Sequence, residues 1–325
     1  MTINRSPSII ERKREMNKIN VAVIGVGKLG REHTRIYHEI PQTNLIGICD
    51  IKPSVKKLAH RYHTRFYQEY QTLLAREKID ALSIAVPTSL HYQVAKQALS
   101  YGIHILLEKP ITSDLKQAED LLHLARQNNL ILQVGQIERF NPVIKKIKTI
   151  ITHPLFIECQ RLGPYSPRVS DIGVVLDLMI HDLDIILQLI DSKPILIDAV
   201  GSKILSNYED IVSARLRFEN GTVVNLSASR VSRKRVRSIR IFQPHLYLSL
   251  DYLHSTIKKV EKKGEKIIST KIRLTNQQEQ LKSEITSFVK DIREQRISQD
   301  CQAYKALKLA LTITEKIKRG NMVNF

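Results

Sequence analysis

The chain has 325 residues and carries 51 Lys+Arg against 32 Asp+Glu, a formal charge of +19 at pH 7. With 42% hydrophobic and 26% charged residues it has the composition of an ordinary globular protein, which excludes disordered, collagen-like and low-complexity chains, and no stretch approaches ~18 consecutive apolar residues, which argues against a spanning helix. At ~100–200 residues per domain the length suggests two domains, while the charge leaves open a nucleic acid, an anionic membrane, a phosphorylated substrate or a basic background.

The first residues are polar and basic (Arg5, Arg12, Lys13, Arg14) and precede a second methionine, Met16. They lack the apolar run of a secretory signal, so residues 1–16 are expected to be a disordered extension. From Ile19 strand-like and helix-like segments alternate. Ile19–Gly25 is apolar on both faces, as a strand buried in a parallel sheet must be. A helix follows and stops before Pro41. Strands are predicted at Asn44–Cys49, Ile79–Val86, Ile103–Glu108 and Leu130–Val134. Helices are predicted at Pro53–His63, Leu90–Tyr101 and Ser113–Asn128. Such β–α units with short connections predict a doubly wound parallel sheet.

After about Arg139 the pattern changes. A helix over Val174–Ile190 sits among strands that alternate as in an antiparallel sheet: Leu155–Leu162, Ile195–Ile204, Ile211–Phe218, Val223–Ser229, Ile239–Phe242 and Leu246–Leu250. Glu219-Asn220-Gly221 carries the Asn-Gly signal of a hairpin. Leu253–Lys271 reads as an exposed Lys-rich hairpin, and helices near Asn276–Gln295 and Gln302–Arg319 close the chain. The expected division is 1–16 extension, 17–139 dinucleotide-binding domain and 140–325 α+β domain for substrate binding and oligomerisation. Cys49, Cys159 and Cys301 have neither paired nor metal-ligand spacing. They are expected to be buried in a reducing compartment, and a cytoplasmic location fits.

Three features carry chemistry. The first strand runs into Gly25-Val26-Gly27-Lys28-Leu29-Gly30, a G-x-G-x-x-G. Gly25 permits a tight turn, Gly27 lets the backbone approach a pyrophosphate, and Gly30 lets the next helix pack on the sheet. Asp50, twenty residues beyond Gly30 at the end of the second strand, is placed to accept from the ribose hydroxyls of NAD and to repel the 2′-phosphate of NADP; nearby Lys52 and Lys56 weaken that preference. The fourth strand ends in Glu108-Lys109-Pro110, and ligands of open parallel sheets bind beyond the carboxyl ends of strands, so Lys109 is expected to point at the nicotinamide end. Finally, Asp177, His181 and Asp184 recur at i, i+4, i+7 on the Val174–Ile190 helix. That face suits solvated surface, a metal site or an acid–base pair; no second His/Asp cluster of matching spacing supports a metal, and none is expected.

Taken in order, G-x-G-x-x-G, Ala85–His91 (AVPTSLH), Glu108–Pro110 (EKP) and Asp177–His181 (D-x-x-x-H) resemble the Gfo/Idh/MocA oxidoreductase family over nearly the whole chain from Asn17. The resemblance implies a Rossmann domain followed by an α+β domain with a large open, mainly antiparallel sheet. It implies Lys109, Asp177 and His181 as catalytic residues. It places Pro87, Thr88, His91, Glu108, Lys109 and Gln136 along the cofactor with Gly25, Gly27, Lys28, Leu29, Gly30 and Asp50. Val134–Pro142, Arg161–Arg168, Asp171–Asp184 and Ala228–Gln243 resemble the sugar-nucleotide branch, which implies a UDP-amino sugar such as UDP-N-acetylglucosamine as substrate. Arg139, Asn141, Arg161 and Arg168 are then the candidate substrate ligands. Two departures stand out: Gln136 occurs where that branch often has His, and Asp171-Ile172-Gly173 replaces a Gly-rich run.

On this basis a neutral His181 removes the hydroxyl proton of a secondary alcohol. Asp177 orients the substrate hydroxyls or the imidazole, and Lys109 stabilises the developing alkoxide. Arg161, Arg168, Arg230, Arg233, Arg235 and Arg237 are candidates for a diphosphate, with Arg233, Arg235 and Arg237 sharing one strand face. The expected partners are a small-molecule substrate and a second copy of the chain, as homodimer or homotetramer, with neither nucleic acid nor membrane insertion. An inositol or free-sugar dehydrogenase and a cofactor-sensing nucleic-acid-binding protein are the alternatives.

Overall fold

The computed structural model describes residues 18–166, 171–274 and 279–320. The expected extension over 1–16 and the candidate Arg168 lie outside them. The chain forms two units, each built from separated segments. The first comprises Met1–Glu108, Asp120–Gly135 and Leu281–Gln299; the second comprises Lys109–Glu119, Gln136–Gln280 and Asp300–Phe325. The linear division at 139/140 counted 281–299 with the second domain, whereas this segment belongs to the first unit.

In the first unit, β1 (Ile19–Ile24), β2 (Thr43–Cys49), β3 (Arg65–Tyr67), β4 (Ala81–Ile84), β5 (His104–Glu108) and β6 (Leu132–Gly135) form one sheet in the order β3-β2-β1-β4-β5-β6. Every pairing is parallel, the doubly wound order whose reversal point lies between β1 and β4. Both faces are covered, so strands such as Ala81–Ile84 are buried at every residue. The helices are α1 (Lys28–Glu39), α2 (Lys56–Arg61), α3 (Tyr70–Arg76), α4 (Thr88–Ser100), α5 (Leu115–Gln127, which begins in the second unit) and, from the distant segment, α8 (Gln280–Arg293). Just beyond α8, the Leu132 N–H donates to the Ser298 carbonyl at 3.1 Å, which ties that segment to β6.

The second unit is built on β7 (Phe156–Leu162), β8 (Pro194–Ser202), β9 (Ile211–Phe218), β10 (Val223–Ser229), β11 (Val236–Gln243), β12 (Leu246–Asp251), β13 (Thr256–Lys263) and β14 (Lys266–Arg273), ordered β14-β13-β12-β11-β7-β10-β9-β8. All neighbours are antiparallel except β7 and β10. One face is covered by α7 (Ile180–Leu189) and α9 (Cys301–Arg319). β9 shows the consequence: Val212, Ala214, Leu216 and Phe218 are buried while the residues between them are exposed. The short α6 (Pro142–Ile147) completes the unit; Asn141 caps it, accepting from the Val143 N–H.

The predicted helix over Val174–Ile190 is not uniform. Val175–Met179 is a π-helical turn, and the α-helix proper starts at Ile180. The wider turn breaks the even i, i+4, i+7 face that the spacing suggested. Likewise the strand expected across Arg230–Arg240 begins only at Val236. Arg233 and Arg235 therefore lie, exposed, in the preceding loop and share no strand face with Arg237. Cys49 and Cys159 are buried as expected, but Cys301 is exposed at the start of α9. Burial pushes the Cys49 thiol up to about 12 and Cys159 well above its usual value, so neither is a nucleophile.

Candidate functional site

The glycine turn after β1 behaves as its three positions demand. Gly25 has φ of +85°, and a methyl there would lie 2.6 Å from the Ala85 backbone carbonyl, at the end of the neighbouring β4. A methyl on Gly30 would lie 1.9 Å from the Gly25 oxygen. Gly27 differs: a methyl on it would meet nothing within 4 Å. Gly27 is also the N-cap of α1 and offers no side-chain cap, so the first N–H groups of that helix are open to an acceptor. Open N–H groups at a helix start of this kind can take a phosphate. Lys28 and Leu29 are exposed on the first turn.

Asp50 closes the turn. Its Oδ2 accepts from the Val26 N–H at 2.7 Å and its Oδ1 from the Lys52 N–H at 2.9 Å. Each oxygen keeps a second lone pair for a ribose hydroxyl. Pro87 and Thr88 start α4, and the His91 Nε2 lies 3.0 Å from the Val86 carbonyl, holding that start in place. Glu108 is buried. Its Oε1 faces His33 Nε2 at 3.0 Å, while His33 Nδ1 meets the Ser83 hydroxyl, also at 3.0 Å. Gly135 leaves space for that carboxylate, since a methyl there would lie 2.9 Å from Glu108 Oε1. Sequence reasoning missed His33, although its place on the buried stripe Gly30–His33–Tyr37 of α1 marks it.

The second unit gathers Lys109, Asp177, His181 and Gln136. Lys109 follows β5 directly, and its peptide with Pro110 is cis. Lys109 Nζ donates to Asp177 Oδ1 at 3.0 Å and to the Asp177 carbonyl at 2.6 Å. His181 Nδ1 lies 3.1 Å from Gln136 Oε1. Thus Asp177 engages the lysine, and a glutamine supports the imidazole. Burial, reinforced by the charges of Lys109, Arg161 and Arg237, holds His181 well below its ordinary pKa of 6.5. The ring is neutral at pH 7 and can accept a proton.

The other predicted residues have different partners. Asp184, the third member of the supposed face, is buried and held by Arg139, which also pairs with Asp300 at the N-cap of α9. Arg161 is buried on the inner face of β7 and donates to Asp182, Glu138 and the Tyr252 hydroxyl. Asn141 donates to Glu138 and to the Tyr252 carbonyl, and Arg230 is buried against Asp210 at 2.7 Å. Arg139 and Asn141, expected as substrate ligands, and Arg161 and Arg230, expected also for a diphosphate, thus each engage protein partners in this structure. Arg233 and Arg235 remain exposed, and Arg237 is half-exposed beside Glu138. Among the described residues no group of His, Cys, Asp and Glu is arranged to hold a metal ion.

The sequence matches two family models, one described as the oxidoreductase family with an NAD-binding Rossmann fold over residues 19–136, the other as the Gfo/Idh/MocA C-terminal domain over residues 154–243. The chain belongs to the Gfo/Idh/MocA family of oxidoreductases. It is 39% identical over 244 residues to the UDP-N-acetylglucosamine 3-dehydrogenase of Acidithiobacillus ferrooxidans, a match covering 74% of this chain and 77% of that protein. The solved structure of that enzyme superposes with a TM-score of 0.85 at 34% identity, covering 93% of this chain and 98% of the other. The scyllo-inositol 2-dehydrogenase (NAD(+)) of Bacillus subtilis is 27% identical, covering 66% of this chain and 68% of that protein. A levoglucosan dehydrogenase solved with NADH has a TM-score of 0.83 at 18% identity over 93% of this chain and 97% of that one, a likeness of fold.

Proposed function

We propose that the chain is an NAD-dependent dehydrogenase that oxidises a secondary alcohol on the sugar of a UDP-amino sugar, with UDP-N-acetylglucosamine as the first candidate. The observation that carries the chemistry is the placement of His181 four residues beyond Asp177, which binds Lys109, with burial holding the imidazole well below its ordinary pKa. The substrate class is supported by the 39% identity to a UDP-N-acetylglucosamine 3-dehydrogenase.

The glycine turn and the open start of α1 hold the pyrophosphate, and Asp50 holds the adenosine ribose and disfavours a 2′-phosphate. Pro87, Thr88 and His91 line the nicotinamide half. When bound, NAD supplies the acceptor for the hydride leaving the carbinol carbon. His181 takes the hydroxyl proton at Nε2, the nitrogen not engaged with Gln136. Lys109, oriented by Asp177, donates to the oxygen as negative charge develops on it. Arg233, Arg235 and Arg237 serve the diphosphate.

The assembly is a homo-oligomer formed through the open sheet face. Strand pairing places Val223, Phe156, Phe242, Tyr247 and Val260 in one row across five adjacent strands, continued by Arg217 of β9 and Leu196 of β8, and Leu196 and Val200 of β8 are more than half exposed. A cytoplasmic location accords with three unpaired cysteines, and no helix among the described residues is long and apolar enough to cross a membrane.

The test is NADH formation by the purified protein supplied with NAD and, separately, UDP-N-acetylglucosamine, other UDP-sugars and free inositols, repeated with NADP. Turnover that requires the UDP moiety and favours NAD is the expected result. Turnover of free inositol that UDP does not inhibit overturns the nucleotide-sugar assignment.

A further inference from the structure

On the dehydrogenase function proposed above, we propose that Gln136 is the positioning residue of the catalytic base: its side-chain oxygen fixes the proton of His181 on Nδ1 and so leaves Nε2 as the accepting nitrogen. Gln136 immediately follows β6 and is buried, with 1% of its surface exposed. Its Oε1 lies 3.1 Å from His181 Nδ1. An amide oxygen only accepts, so the imidazole nitrogen facing it must donate. The bond therefore selects one of the two neutral tautomers, because the partner of one ring nitrogen decides the protonation of the other.

The second observation is a cost. Gln136 Nε2 is buried without a hydrogen-bond partner among the described residues. An unsatisfied buried donor destabilises the fold, and an apolar side chain of similar size avoids that loss. The oxygen end is where the residue makes its bond, and that bond goes to the base. The charges around the ring agree. Lys109, Arg161 from β7 and Arg237 from β11 all disfavour a second proton. Of the nearby carboxylates, Asp177 is taken up by Lys109, Asp182 by Arg161, Glu138 by Arg161 and Arg237, and Asp184 by Arg139. Among the described residues no carboxylate hydrogen-bonds the imidazole in place of the amide. The neutral tautomer is thus selected by hydrogen bonding instead of by an ion pair.

The test has a readout independent of turnover. Nitrogen-15 NMR of the imidazoles, with His181→Asn used to assign the signal, is expected to show a protonated Nδ1 and an unprotonated Nε2 in the free protein near pH 7. Gln136→Leu is expected to lose that preference and to lower kcat by roughly 10- to 100-fold with KM changed less than about threefold, part of the ~10²–10⁴-fold effect of a general base. Gln136→Glu, which also accepts from Nδ1, is expected to restore kcat while moving the acidic limb of the pH profile upward, because a carboxylate favours the imidazolium. A protonated Nε2 in the wild-type protein, or a Gln136→Leu variant that keeps both the tautomer and kcat within about threefold, overturns the proposal. If the wild-type protein turns over no sugar, the tautomer signal still decides the hydrogen-bond assignment, and the loss falls on the function alone.

Discussion

Lys109 Nζ makes two contacts with one residue, donating to the Asp177 carbonyl at 2.6 Å and to its carboxylate at 3.0 Å. Both side chains are about one-sixth exposed, 19% and 15%. The ammonium is therefore anchored yet reachable, as a donor to a developing alkoxide must be. Removing such a donor typically lowers kcat by ~10²–10³-fold. Lys109→Met is expected to do so while NADH binding, followed by fluorescence, stays within about twofold, because the proposed pyrophosphate and ribose sites are made by other residues. A variant retaining more than a tenth of wild-type kcat removes Lys109 from the chemistry.

His181 makes a pH prediction with a definite sign. Its folded-state pKa is well below 6.5, the cause being burial first and then three cations. Between the folded value and 6.5 the unfolded chain binds a proton that the native protein does not. Stability therefore rises with pH across that window and is lost as pH falls below 6.5, by up to about 1.4 kcal/mol per pH unit from this residue. His181→Asn is expected to flatten the dependence of Tm on pH below 6.5, which thermal melts at several pH values will show. The same depression keeps the base neutral in mildly acidic solution, so the acidic limb of kcat belongs below 6.5. If kcat instead falls through an ordinary histidine value near 6.5, His181 is not shielded in this way.

The doubly wound sheet was legible because buried parallel strands read as continuous apolar runs, and the glycine turn with Asp50 was legible because the backbone leaves few alternatives there. β3 (Arg65–Tyr67) and α3 (Tyr70–Arg76) were not, since three and seven residues are too few for a periodic signal. The cluster Glu138–Arg161–Asp182–Tyr252 escaped because each charge looked solvated in isolation. Its signal was positional: Arg161 continues the inward series Ile157, Cys159 on β7, and Asp182 falls on the apolar stripe between Met179 and Ile186. Charges at the core positions of two facing patterns mean an ion pair, because neither can be buried alone. The π turn, by contrast, depends on tertiary packing that periodicity does not encode.

Glycine substitutions separate binding from folding. Gly30→Ala drives a methyl into the Gly25 carbonyl. Overpacking of this kind costs about 1–3 kcal/mol, roughly 2–5 °C in Tm at this size. Gly27→Ala meets nothing and is expected to leave Tm within about 2 °C, since unstrained surface changes stay near ±0.5 kcal/mol. Its methyl nevertheless occupies the space a pyrophosphate needs, so the Kd for NADH is expected to rise at least about tenfold. Equal NADH affinity in Gly27→Ala and wild type moves the dinucleotide away from this turn.

Two groups of arginines are expected to fail in opposite ways. Arg161 is 3% exposed and pairs with Asp182 and Glu138, themselves 2% and 3% exposed. Arg161→Met leaves two buried carboxylates short of their counter-charge, and breaking a buried pair from one side costs about 3–5 kcal/mol. The expected result is a large loss of Tm, with folded protein at low temperature keeping its KM for the nucleotide sugar within about threefold. Arg233 and Arg235 sit exposed in the loop before β11, so Arg233→Ala and Arg235→Ala are expected to leave Tm nearly unchanged. A charge-assisted bond to a phosphate contributes about 1.5–3 kcal/mol, so each change is expected to raise KM for the UDP-sugar by roughly 10- to 100-fold and to weaken competition by free UDP in parallel. If both variants keep wild-type KM and UDP inhibition, the diphosphate is held elsewhere, and the exposed arginines are solvated charge.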